Sequence, residues 1–270
     1  VVDGGIQALN KAKIEGIIKP FGNVTITWLQ VDMSRFEGLY KTHRMSHAIF
    51  LRLLLPSLMP DTESRVLYLD SDILVQKSLL PFYRMSFDDN YVIAVQNFHS
   101  PYNHLYKGMN LNVDTETIGF NNGCMCMNLN LFRETKIVDE VFTVLKKYPQ
   151  FHDQDGLNAV LAGQWKPVSF VWNLQVGEYD AVKMPESAIR SELVSHQGSV
   201  YEDAAILHYT SDDKPWNSLL PEPLNTKYDA AIERSGWFTP ADLAAWKRKR
   251  FFQASFRKIK RTLKSLKPRN

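Results

Sequence analysis

Cysteine is scarce in this 270-residue chain, with only Cys124 and Cys126, both inside the stretch NGCMCMN. So few thiols exclude a disulfide-built fold, and with no further Cys to complete a ligand set they argue against a zinc site. Two buried, reduced thiols are the plainer reading, and on a strand their spacing points both to one face. That usage suits a cytosolic protein. No uncharged apolar run reaches the length of a membrane-spanning helix, and no signal peptide leads the chain. Repeats and low-complexity segments are absent as well. There is no initiator Met either, and Val1-Val2-Asp3-Gly4-Gly5 reads as the end of a strand and a turn, so the chain starts in mid-fold.

Acidic residues are missing from one place in particular. The segment from Lys247 to Asn270 holds eleven of the 32 Lys and Arg and no Asp or Glu, which leaves 21 basic against 29 acidic residues elsewhere. The formal charge of +3 therefore hides a body near −8 and a strongly basic end. Positive charge confined to one end argues against a nucleic-acid-binding body and toward a membrane surface.

The remaining composition is ordinary for a globular chain, with 44% hydrophobic and 23% charged residues. Its length supports a sizeable core, read here as one main domain over residues 1–240 and a basic tail over 241–270. Ile6, Leu9, Ile14, Ile17 and Ile18 mark an amphipathic helix stopping near Pro20, and VTITWLQV (24–31) reads as a strand. Ser46 caps a helix carrying Ile49, Phe50, Leu53 and Leu54 and ending near Pro56. RVLYLD (65–70) and YVIAVQN (91–97) read as strands, the first apolar on both faces as in the interior of a parallel sheet. GCMCMNLNLF (123–132) continues as strand, Val138 to Leu145 is helical, and HDQD leads into a short helix over Gln154 to Leu161. This alternation predicts an α/β fold with a mostly parallel sheet and ligands at the carboxyl ends of its strands. The long polar, aromatic loop over residues 98–118 is a candidate for recognition.

Against that frame LYLDSDIL (67–74) stands out, because a buried strand ends in two carboxylates separated by one residue. Asp70 and Asp72 so placed repel one another, and a hard divalent cation such as Mg²⁺ or Mn²⁺ between them relieves the repulsion. Two other readings start from the same residues. One is an Asx turn, with the carboxylates accepting from amides just downstream. The other is a dehalogenase-type phosphatase pair, which fits less well because two strands precede this one and position 74 is Leu.

The rest of the chain separates these readings by resemblance. MSHAIFLRLLLPSLMPDTESRVLYLDSDILVQKSL, FNNGCMCMNLNLF, DQDGLN and LHYTSDDKPW occur in the order and rough spacing of the family 8 retaining glycosyltransferases, from the first residues to Trp216. The chain resembles most the bacterial branch that adds galactose or glucose to lipopolysaccharide and related surface glycans. That resemblance implies a GT-A, Rossmann-like fold and transfer of a hexose from a UDP-sugar to a glycan or glycolipid acceptor. It also implies Mn²⁺, with Mg²⁺ as the alternative. By the same resemblance Asp70, Asp72 and His208 match the metal ligands, and Arg52, Ser71, Asn121 and Ser211 the donor contacts. Lys214 matches the basic residue against the donor phosphates, and Asp153 and Gln154 the pair beside the transferred sugar. Retention through front-face attack, with Gln154 supporting an oxocarbenium-like centre, needs no close carboxylate pair of the glycosidase kind.

Taken singly, these residues have plainer readings. His208 could be a core histidine, Lys214 a solvated lysine, Arg52 the partner of a carboxylate, Asn121 a strand-edge residue and Asp153 a helix N-cap. Two departures from the family pattern are visible. The unit that packs uracil and ribose does not precede the first strand, and Ser211 stands where the family often has Gly. A catalytically impaired enzyme or binding module of the same fold is therefore the rival reading. Past Leu243, residues Phe252, Phe256, Ile259, Leu263 and Leu266 form one apolar helical face among Lys and Arg, the pattern of a helix that lies in an anionic membrane interface. The expected location is cytoplasmic, peripheral on the inner face of the plasma membrane, with no nucleic-acid partner.

Overall fold

Nine strands carry the described part of the chain. The structure is a computed structural model that describes residues 1–39, 47–98, 118–176 and 187–265, with backbone alone at residues 258 and 260–265. In chain order the strands are β1 (Val2–Asp3), β2 (Leu29–Gln30), β3 (Arg65–Leu69), β4 (Ile73–Val75), β5 (Val92–Gln96), β6 (Phe120–Asn128), β7 (Trp165–Val168), β8 (Leu174–Gln175) and β9 (Ile206–His208). They form a two-stranded β1-β2 sheet, a four-stranded sheet in the order β3-β6-β5-β7, and a three-stranded sheet in the order β4-β9-β8.

The four-stranded sheet is mixed rather than parallel in its pairings. Strand β6 is antiparallel to both β3 and β5, while β7 is parallel to β5, so β6 alone runs against the other three. The expected parallel character survives in the shared direction of β3, β5 and β7. It is β6, and not β3, that is buried on both faces, and β3 lies at the sheet edge, half-buried. Strand alternation builds two cores from one sheet. Val92, Ala94, Met125 and Met127 pack on one side with Phe50, Phe132 and Leu157. Ile93, Cys124 and Cys126 face the other side with Phe82 and Ile206. Both thiols are free and buried on one face, and burial pushes the Cys126 thiol up to about 11, the state of an inert core residue.

Seven longer helices flank these sheets: α1 (Ala8–Ile18), α2 (Leu129–Thr135), α3 (Ile137–Lys147), α4 (Asp153–Val160), α5 (Ala188–Ser195), α6 (Leu224–Ser235) and α7 (Pro240–Ser265). Several differ from expectation. The strand read through residue 132 stops at Asn128, whose side chain accepts from the Leu131 amide and caps α2. VTITWLQV contributes only Leu29–Gln30, because its partner β1 offers two residues and an unpaired strand has nowhere to place its hydrogen bonds. The amphipathic reading of α1 holds only in part: the helix forms and ends before Pro20, with Ile14, Ile17 and Ile18 half-buried. The helix buries no residue, and Leu9 is 79% exposed. The expected helix before Pro56 is a 3-10 helix, His47–Leu54, passing into a short α-helical turn at Leu55–Leu58. Its expected cap, Ser46, lies outside the described residues.

Candidate active site

Strand β3 ends at Leu69, and the chain then passes from the four-stranded sheet into β4 of the three-stranded one, so Asp70, Ser71 and Asp72 occupy the crossing between two sheets. Backbone hydrogen bonds pin both ends of this crossing. The Asp70 amide donates to the Gly123 carbonyl at 2.8 Å, and the Asp72 carbonyl accepts from the Tyr209 amide at 3.0 Å. Register then delivers the third group, because Ile73 on β4 lies opposite His208 on β9. Residues 138 apart in sequence are thereby neighbours.

His208 Nε2 lies 3.2 Å from Asp72 Oδ1 and 3.9 Å from Asp70 Oδ2. One ligand atom from each residue falls within 4.8 Å of the others, a spacing that suits a shared cation. Two carboxylate oxygens and one imidazole nitrogen form a donor set suited to Mn²⁺ and acceptable to Mg²⁺. Gly123 makes room for it. A Cβ there would lie 2.3 Å from His208 Cε1 and 2.6 Å from Asp70 Oδ2. Behind the imidazole, Asn173 is fully buried; its Nδ2 donates to Asn121 Oδ1 at 2.9 Å, which leaves its Oδ1 to accept from His208 Nδ1, also at 2.9 Å. This bond commits Nδ1 and turns Nε2 toward the carboxylates, the arrangement a metal-binding histidine needs. Asn121 Oδ1 also accepts from the Gly123 amide, so the supporting shell closes on itself.

The carboxylates take their partners from Arg52, Tyr68, His208 and Lys214 rather than from amides just downstream, which sets the Asx-turn reading aside. Tyr68 donates to Asp70 Oδ1 at 2.6 Å, and Lys214 Nζ to Asp72 Oδ2 at 2.6 Å. Burial pushes the Asp72 carboxyl upward, but His208 and Lys214 outweigh it and hold this group well below the usual carboxylate range. Arg52 is the buried hub beneath. It donates to Asp70 from Nη2, to the Asn122 carbonyl and side chain from Nη1, and pairs with Asp153 through Nε at 2.9 Å. Burial opposes its charge, yet Asp153 and Asp70 hold the guanidinium ionised. The carboxyl of buried Asp153 is pushed upward by desolvation, a shift that Arg52 and Asn122 only partly oppose.

A cleft of about 1080 Å³ opens in front of this cluster. It runs from Val1, Val2, Ile6 and Leu29 past the edge of β3 to Ser71, Ser211 and Lys214. Of the expected donor contacts, Arg52, Asp70, Ser71, Asp72, Ser211 and Lys214 line it, whereas Asn121, Asp153, Gln154 and His208 do not. Most of Arg52's donors are spent on protein acceptors, so its clearest role is to hold the carboxylates. Gln154 Oε1 accepts from the Asn122 amide at 3.1 Å. Ser211 Oγ donates to the Asp213 carbonyl. Asn173, Asn122, Tyr68 and Gly123 are site residues that the sequence reading passed over. Asn122 and Gly123 stood inside the quoted FNNG stretch, but Asn173, in VWNLQ, carried no motif to find it by.

Comparison with known proteins bears on the family and the fold. The model of Glycosyl transferase family 8 matches residues 1–219. General stress protein A of Bacillus subtilis is 29% identical over 245 residues, covering 88% of this chain and 83% of that protein. Lipopolysaccharide 1,2-glucosyltransferase of Escherichia coli is 26% identical over 78% of this chain, and the match spans 62% of its length, under two thirds. Among solved structures, galactosyltransferase LgtC, crystallised with donor and acceptor sugar analogs, superposes with a TM-score of 0.68 at 22% identity, covering 91% of this chain and 87% of that one. The fold is shared.

Proposed function

We propose that this chain, which belongs to glycosyl transferase family 8, moves a hexose, galactose or glucose, from a UDP-sugar to a lipopolysaccharide, lipid-linked or other surface-glycan acceptor. The observation that carries this reading is the meeting of Asp70, Asp72, His208 and Lys214 at one end of a cleft large enough for a nucleotide sugar. Asp70, Asp72 and His208 are the residues that would hold Mn²⁺, or Mg²⁺ in its place. An ion held there would supply positive charge for the donor diphosphate. Lys214 adds a cation on the same side and stabilises the charge that develops on the departing UDP. Asp153 and Gln154, tied to Asn122 at the head of α4, form the rear of the site, with Gln154 assigned to the sugar centre.

The membrane reading draws support from the outer face of α7. Phe252 and Phe256 are each 69% exposed and Ile259 is 58% exposed, so the apolar stripe faces away from the body among basic residues. Leu266 and the side chain of Leu263, the expected continuation of this stripe, lie outside the described residues, as does most of the candidate acceptor loop over residues 98–118. Among the described residues no helix is long and apolar enough to cross a membrane, so this reading places the chain on an anionic inner surface.

Calorimetric titration of UDP into the 270-residue chain with Mn²⁺, repeated with Asp70→Ala and Asp72→Ala combined, tests the donor site. Metal-dependent binding that falls about 100-fold or more in the double variant supports it. Equal binding in both removes it. UDP binding without hydrolysis or transfer from any UDP-hexose points to the catalytically impaired alternative.

A further inference from the structure

The segment that carries Lys214 is not self-supporting. Ser211, Asp213, Asn217 and Ser218 are laced to one another, with the Lys214 amide donating to Asn217 Oδ1 and the Asn217 and Ser218 amides returning to the Lys214 carbonyl. Lys214 Nζ ties this small loop to Asp72 on the site side, and its other side is held by α7, part of the region expected to be an appended tail. Arg250, only 5% exposed, grips Asp229 of α6 with both terminal nitrogens, at 2.6 and 2.7 Å. Its Nη1 also donates to the carbonyl of Pro215, the residue next to Lys214, at 2.9 Å. Two turns on, Arg257 reaches Asn217 Oδ1 at 3.2 Å and Ser218 Oγ at 3.3 Å. Trp246 lies under the Arg250 guanidinium at 4.8 Å and packs with Phe238 and Tyr228.

We infer that Arg250 is a positioning residue for donor binding: clamped on Asp229, it holds the Pro215 carbonyl and so keeps Lys214 aimed at the Asp72 end of the cleft. The inference rests on the donor-site reading above and extends it to a helix outside the matched residues 1–219. Asp229 orients the guanidinium, Arg250 spans α7, α6 and the loop, and Lys214 alone faces the ligand. A lysine at position 250 retains one charge for Asp229 but lacks the fork that also reaches Pro215.

The test compares three variants of the full chain by UDP titration with Mn²⁺, alongside thermal melting and hydrogen exchange of residues 209–218 measured without nucleotide. Arg250→Lys is expected to weaken UDP binding by about tenfold, the loss of one positioning hydrogen bond, and to speed loop exchange. Asp229→Asn loosens the same ion pair while leaving the Pro215 contact in place. It is expected to lower the melting temperature by a similar amount with a smaller effect on UDP binding and on loop exchange. If Asp229→Asn and Arg250→Lys weaken UDP equally at equal loss of melting temperature, Arg250 is only a structural tie and the inference fails. Lys214→Ala separates the two levels. If it leaves UDP affinity intact, or the parent chain binds no UDP, the donor reading fails and takes the inference with it. If it abolishes binding while Arg250→Lys does not weaken it, the inference alone falls.

Discussion

The crossing at Asp70–Asp72 and the outer face of α7 are both dense in charge, yet they follow opposite rules. In the crossing, Arg52 serves Asp70, Asp153 and Asn122, while His208 stands between Asn173 and the two carboxylates, so the charges are compensated by one another in a largely buried cluster. On the outer face of α7, Phe252, Phe256 and Ile259 lie in solvent among basic residues. Removing one member of the first arrangement strands the others. Removing a member of the second strands nothing, because water already surrounds it.

That contrast sets the order of expected effects. Arg52→Ala leaves Asp153 buried without its cation and is expected to cost about 3–5 kcal/mol, read by denaturant unfolding, with Arg52→Lys recovering part of it. Little or no loss would mean that the crossing is as forgiving as a surface. Next comes Asn173→Ala, which frees the imidazole of His208 and should weaken Mn²⁺ binding about 10–100-fold in a direct metal titration. Unchanged affinity would show that His208 needs no help to face the carboxylates.

The N-terminal turn lies between these extremes and is read through pH. Asp3 Oδ1 accepts from the Gly5 and Ile6 amides while Oδ2 meets Lys11, and these partners, Lys11 first, lower its carboxyl from 3.8 to about 2. A depressed carboxylate contributes stability above its unfolded value, and that contribution is lost as pH falls through the folded one. Protection of the Gly5 and Ile6 amides, taken relative to their intrinsic exchange at each pH, should therefore hold steady down to about pH 4 and fall toward pH 2, with Asp3→Asn flattening the profile. The smallest effect on the fold belongs to Phe252→Ser, Phe256→Ser and Ile259→Ser together, each expected to change stability by no more than about 0.5 kcal/mol. Loss of binding to anionic vesicles in that triple variant supports the interfacial role, and unchanged binding removes it. Point substitutions suit this test better than removal of residues 244–270, which would also take away Arg250.

The strand β5 and the helices α3 and α4 were legible because periodic burial and caps are local properties of the chain. Strand β6 was legible at its centre but not at its end, since Asn128 had to be seen accepting from Leu131 before the strand could be stopped. Helix α1 misled for the opposite reason. Its apolar spacing is there in the sequence, but nothing among the described residues covers Leu9. In the site, Asp70 and Asp72 announced themselves by an apolar run that ends in carboxylates. His208, Lys214, Asp153 and Gln154 were reached only through their resemblance to a family pattern, because a histidine or lysine taken singly carries no sign of its neighbours.

By itself, then, the sequence determined the α/β class, the strand that ends in two carboxylates, the reduced thiols and the separation of basic end from acidic body. Each of these follows from composition or from spacing within a few residues. Tertiary structure alone decided that β6 runs against its neighbours, that β4 sets His208 beside Asp72, that Asn173 backs the imidazole and that Arg250 reaches Pro215. Those contacts join residues from 35 to 136 positions apart. Which distant groups meet is set by sheet register and helix packing, and neither is written in any local stretch of the chain.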